Sequence, residues 1–239
     1  GIRARCSAMF TVSVPSRHNA LRCSGVAAFG LSLSVAALAQ GANNAVGERI
    51  AREGLPPRVA ACIGCHGAGG EGSAGFPPLA GSGKAYLFAQ LEAFASGARK
   101  HAVMGPIAQA LDTAQRTSVA AWFAALPAPL TQTKEAPATP SDRGAWLAAR
   151  GRWQDGVPAC AQCHGPGGVG VPPNFPPIGG LSAAYMQAQV EAWQAGTRPP
   201  GPLGLMESVA KHLNADDISA VAAYYAKLHA APATAKAQP

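Results

Sequence analysis

Cys62-Ile63-Gly64-Cys65-His66 and Cys160-Ala161-Gln162-Cys163-His164 twice set two thiols three residues apart, with an imidazole directly after the second. Thiols at this spacing can each form a thioether to a vinyl group of one porphyrin, and the adjacent imidazole can then ligate its iron, which is the c-type haem attachment pattern. Two motifs predict two covalently bound haem c groups. Cys62, Cys65, Cys160 and Cys163 are the attachment points, and His66 and His164 are the first axial ligands. Two other chemistries use the same atoms. A four-thiolate zinc site would have to close over the long stretch between Cys65 and Cys160, far beyond zinc-ribbon spacing. A disulfide exchanger would need neither the two histidines nor the methionines described next.

An iron with two strong axial ligands binds oxygen or peroxide poorly and exchanges electrons with little change in geometry. Methionine sulfur as second ligand favours ferrous iron and raises the potential. Met104 and Met206 are the candidates because they stand seven residues before Leu111 and Leu213, in register in both halves of the chain. Met186 aligns with Leu87 and reads as interchangeable core. Met9 falls in an amino-terminal leader. The histidines fail the same test: His101 is matched by Leu203, His212 by Ala110 and His229 by Pro127. His101 alone remains a rival to Met104, since its loop could bring it near the iron.

The elements that must position these residues form an internal repeat. Phe76-Pro77-Pro78-Leu79-Ala80-Gly81 answers Phe175-Pro176-Pro177-Ile178-Gly179-Gly180. Tyr86, Gln90, Phe94, Gly97 and Arg99 answer Tyr185, Gln189, Trp193, Gly196 and Arg198. Trp122 and Phe123 answer Tyr224 and Tyr225. The period is too long for a solenoid and suits an independent fold. Alanine-rich sequence poor in β-branched residues leans helical. Helical spacing runs over Lys84–Ser96 and Ser182–Ala195, with Gly97 and Gly196 where C-terminal caps belong. Asp112 with Gln115 suggests a capping box, and Asn214 with Asp217 imitates one. The apolar sets Val119, Trp122, Phe123, Leu126 and Val221, Tyr224, Tyr225, Leu228 each lie on one helix face. Each haem motif is expected to end a short helix, with the glycine-rich stretches Gly67–Gly75 and Gly165–Gly170 turning the backbone around the haem edge. No segment alternates as a strand. The fold class is all-α: two tandem haem domains related by duplication.

Arg17, His18 and Arg22 precede an apolar run over Val26–Ala39 that ends in Ala37-Leu38-Ala39, the pattern of a cleavable secretory signal. The run is too short to span a bilayer. Cys6 and Cys23 fall in this leader, so no cysteine is left over for a disulfide. The expected boundaries are 1–39 signal peptide, 40–130 first domain, 131–141 linker (TQTKEAPATPS, without an apolar period), 142–230 second domain and 231–239 tail. With 19 basic and 12 acidic residues the net charge is +7, and removing 1–39 takes four arginines and no acid, leaving +3. A basic surface for nucleic acid is therefore not indicated.

The two motif domains, with FPPLAG or FPPIGG, Tyr-x-x-x-Gln, Gly-x-Arg and a methionine before the terminal helix, resemble the di-haem class I cytochromes c of the cytochrome c4 family. The resemblance covers roughly residues 45–230. It implies two haem domains facing each other across a pseudo-twofold interface. It also implies periplasmic transfer of single electrons from a quinol-oxidising complex or dehydrogenase to a terminal oxidase. Pro77 and Pro176 are implied to offer their carbonyls to His66 and His164, which would orient the imidazoles and tune their basicity. Tyr86, Arg99, Tyr185 and Arg198 are implied as haem-pocket supports. Ser82 and Leu181 stand where the family usually has Gln. The expected function is a soluble, exported electron carrier and not an enzyme, with redox proteins as partners and membrane association only through them. The alternatives are the cytochrome subunit of a membrane-associated dehydrogenase and a di-haem peroxidase, which would need one open iron position.

Overall fold

The computed structural model describes residues 44–73, 75–129 and 138–228. The expected signal segment, most of the linker, the tail, Cys6, Met9, Cys23 and His229 lie outside them. The first half contains α1 (44–53), α2 (Ile63–His66), α3 (Lys84–Ala95), α4 (Met104–Gln109) and α5 (Thr113–Ala125). The second contains α6 (Arg143–Ala149), α7 (Cys160–His164), α8 (Ala183–Gln194), α9 (Leu205–Lys211) and α10 (Ala215–Ala226). Among the described residues β-structure is limited to isolated bridges such as Leu55–Val59 and Val171–Phe175. The order of elements repeats, as the sequence register requires.

The helix ends follow local chemistry. Asp112 accepts from the Gln115 N–H and Gln115 returns a bond to the Asp112 N–H, a complete capping box. Asn214 and Asp217 close the same reciprocal pair at α10, so the aspartate does the full work of a longer side chain. Such caps are each worth about 1 kcal/mol. Gly97 and Gly196 follow α3 and α8 with φ of 76° and 67°.

The predicted apolar faces are the buried ones. Val119, Trp122 and Phe123 on α5, and Val221 and Tyr225 on α10, are all under 9% exposed, and Ile50 and Leu147 from α1 and α6 join them in the two cores. Periodicity alone does not reveal α1 and α6, which are too short to show it. Each crosses the last helix of its half at a glycine. A Cβ on Gly47 would stand 2.1 Å from the Ser118 carbonyl oxygen, and one on Gly144 would stand 2.3 Å from that of Ala220. The two backbones touch because nothing lies between them. The haem motifs do not continue these helices. Reverse turns closed by the Leu55–Val59 and Arg152–Val157 bridges intervene, and Pro56 and Pro57 bar helix continuation in the first copy. Each motif therefore forms its own single turn.

Candidate haem centres

In α2 and α7 the single helical turn places the two cysteines and the histidine at i, i+3 and i+4, positions that share one face. All four thiols are free. Burial pushes Cys62 and Cys160 up to about 11, so without attachment both stay protonated. His66 and His164 are each only 7% exposed. Their Nδ1 atoms lie 2.8 Å from the carbonyl oxygens of Pro77 and Pro176. A carbonyl can only accept, so Nδ1 carries the proton and Nε2 keeps its lone pair for a metal. Burial lowers both imidazole pKa values and the proline bond opposes it, which keeps the rings neutral, as ligation requires.

Both loops are held alike. Gly72 N–H donates to the His66 carbonyl and Gly170 N–H to that of His164, each at 2.7 Å. Phe76 and Phe175 stand edge-on to the imidazoles with ring centroids 6.0 and 6.3 Å away. This donor set fits a thioether-bound haem: two free thiols, an imidazole with a fixed tautomer, and a glycine-rich loop folded beside them. Among the described residues no three His, Cys, Asp or Glu side chains converge to hold an ion on their own. The four-thiolate zinc arrangement is not formed.

Met104 opens α4 and Met206 is the second residue of α9, both half-buried. The far ends of these helices are anchored by unrelated side chains. Arg116 Nη1 donates to the Ala108 carbonyl at 2.9 Å and also to that of Leu111. In the second half Gln194 Nε2 reaches the matching Ala210 and Leu213 carbonyls, both at 2.8 Å. His101, the rival to Met104, is exposed, and its Nδ1 accepts from the Val103 and Met104 N–H groups at 3.2 Å. That puts its proton on Nε2 and leaves no lone pair for iron. It serves as a cap for the methionine helix.

Tyr86, Arg99, Tyr185 and Arg198 come together between the two halves. Arg99 donates to Gln90 of its own half (2.7 Å) and to Gln189 (2.5 Å) and Tyr185 (3.3 Å) of the other. Arg198 reciprocates with Gln189 (3.1 Å), Gln90 (3.3 Å) and Tyr86 (3.3 Å). The two glutamines were visible as repeated positions, but nothing in a linear register assigns them a shared partner. Sequence reasoning also missed a buried carboxylate. Asp217, 0% exposed, receives Arg143 Nε at 2.7 Å and Arg152 Nη2 at 2.9 Å. Its signal is an aspartate where the first half has neutral Gln115.

Sequence families described as "Cytochrome c" and "Cytochrome C oxidase, cbb3-type, subunit III" match residues 58–127 and 145–224. A "Thiosulfate dehydrogenase electron acceptor" of Thiomonas intermedia (strain K12) is 47% identical over 72% of this chain and 80% of its own length. A "Cytochrome c4" of Pseudomonas aeruginosa is 34% identical over 72% of this chain and 86% of its own. The solved thiosulfate dehydrogenase of Marichromatium purpuratum, in its as-isolated form, superposes with a TM-score of 0.67 at 40% identity. It matches 77% of this chain, which spans 40% of that longer one.

Proposed function

Because the chain belongs to the cytochrome c4 family of di-haem class I cytochromes c, we propose that it is a periplasmic carrier reduced by a dehydrogenase of the thiosulfate-oxidising kind. It is an electron-transfer protein with two covalently bound haem c groups. When bound, each haem supplies one-electron ferric/ferrous chemistry. The observation that carries the choice of donor is the graded similarity: 47% identity to an electron acceptor of thiosulfate dehydrogenase against 34% to a cytochrome c4.

In this reading His66 with Met104 and His164 with Met206 would hold the two irons, and irons held by two protein ligands each would react slowly with peroxide. The proline carbonyls hold the imidazoles. Residues 1–39 act as the export signal, 40–130 and 142–230 as the two haem domains, and 131–141 as the linker. Among the described residues no helix is long and apolar enough to cross a membrane. The electron leaves to a terminal oxidase or another respiratory acceptor.

The test is stopped-flow reduction of the ferric holoprotein, after a pyridine haemochrome assay has counted two haems. Purified thiosulfate dehydrogenase plus thiosulfate is expected to reduce both haems in a second-order reaction faster than a quinol-oxidising complex does. Reduction by the quinol-oxidising complex alone would reassign the donor. A haem open to added peroxide or cyanide at a rapid rate would overturn the closed-ligand reading.

A further inference from the structure

The outer face of α6 and the turn after it form a groove of about 600 Å³ in the second half. Arg143, Trp146 and Arg150 stand at i, i+3 and i+7, on one side of the helix, and Arg152 and Trp153 continue the lining. None of Cys160, Cys163, His164, Pro176 or Met206 borders it. Trp153 is 58% exposed. A lone exposed aromatic carries little meaning, but this one shares its groove with a second tryptophan and three arginines, and no acid lines it.

Two of the guanidiniums are fixed in place. Asp217 receives both Arg143 and Arg152, and Arg152 Nε also pairs with Asp155 at 2.6 Å. Asp216 stands 3.9 Å from Arg143 Nη1. These carboxylates offset part of the charge and hold the two arginines in one arrangement, which lowers the ordering cost of any contact made to them. Arg150 is exposed, and among the described residues its side chain enters no ion pair.

The first half shows that the fold does not call for these side chains. Gly47 and Gly54 match Gly144 and Gly151 in both the helix crossing and the turn that follows, so α1 and α6 correspond residue for residue. In that register Val46, Arg49, Glu53 and Leu55 stand where the second half has Arg143, Trp146, Arg150 and Arg152. The same helix and turn form without them.

We propose that this groove anchors an acidic segment of a redox partner protein, with a carboxylate meeting Arg150 and an apolar side chain covering Trp153. Tryptophan and arginine are the side chains that most often dominate protein–protein contacts, and a lining of arginines without an acid is complementary to carboxylates. The groove stands apart from the haem motif, so it acts on encounter and residence and not on the potential of either haem. The proposal rests on the chain being an electron carrier with a protein donor, and it is independent of which donor that is.

The test is stopped-flow reduction of the full-length ferric holoprotein by whichever of thiosulfate dehydrogenase with thiosulfate and the quinol-oxidising complex reduces the parent faster. Trp153→Ala and Arg150→Glu change exposed positions outside the cores. Each should lower the second-order rate constant by about tenfold, and Arg150→Glu should also flatten its dependence on salt. Reduction potentials and visible spectra should stay those of the parent. Arg49→Glu makes the same change of net charge on the matching face of the first half, where Arg49 is exposed, and should react like the parent. Parent-like rates in both groove variants, or an equal loss in Arg49→Glu, would overturn the anchor. Unchanged rates together with weaker binding of Trp153→Ala to phosphatidylglycerol vesicles would give the groove to a membrane surface instead. A parent reduced faster by the quinol-oxidising complex would reassign the donor, while the groove would still be judged by the same variants with that complex.

Discussion

Arg116 Nη1 lies 2.9 Å from the Ala108 carbonyl oxygen, although the two residues belong to different helices of the first half. The same guanidinium holds Glu92 on α3 at 2.5 Å, so it ties three helices together around the end of α4. Arg116→Ala leaves the carbonyl of fully buried Ala108 without this donor, at a cost of about 1–3 kcal/mol. The variant is expected to lose the Met–iron charge-transfer band of one haem at a lower temperature than the parent. Gln194→Ala should do the same for the other haem. Thermal melts followed in that band check both, and parent-like melts would show that the anchors do not hold the methionine helices.

Met104→Ala and Met206→Ala are each expected to lower the potential of one haem and leave the other nearly unchanged, because sulfur ligation favours ferrous iron. Redox titrations in which both methionine variants match the parent would remove these residues from the iron.

The Asp217 carboxyl is pushed up by its burial, but hydrogen bonds from Arg152, Arg143 and the Asn214 N–H, with the charge of Arg152, outweigh this and hold it at about 2. A carboxylate depressed below its unfolded value contributes stability that is fully present above about pH 4 and is lost as pH falls through about 2. Its contribution is roughly 1–2 kcal/mol, since both arginines are partly solvated and screened. Urea unfolding of the parent should therefore weaken between pH 4 and pH 2 more than that of Asp217→Asn. Equal acid sensitivity in the two proteins would discard this origin.

Gly47→Ala drives a methyl group into the Ser118 carbonyl, and Gly144→Ala does so at Ala220. Neither neighbour is a flexible side chain, so α1 or α6 must move away from its partner. The expected loss is about 1–3 kcal/mol in each case, read as a lower denaturation midpoint with an unchanged slope. A midpoint within error of the parent would mean that the helices separate freely.

The amino-acid sequence by itself determined the number of haem motifs and the duplicated helical order, placed Met186 in the core, and offered Met104 and Met206 as the candidate ligands. These follow from short-range spacing and from register between the two copies, which are properties of a line. The Pro77 and Pro176 contacts were legible only through family resemblance. Tertiary structure decided what the line does not contain. Arg99 meets Gln189 across 90 positions, Asp217 draws in Arg152 across 65, and Pro173 caps a helix in the other half. No periodicity encodes such meetings, because they depend on where two folded surfaces come to rest.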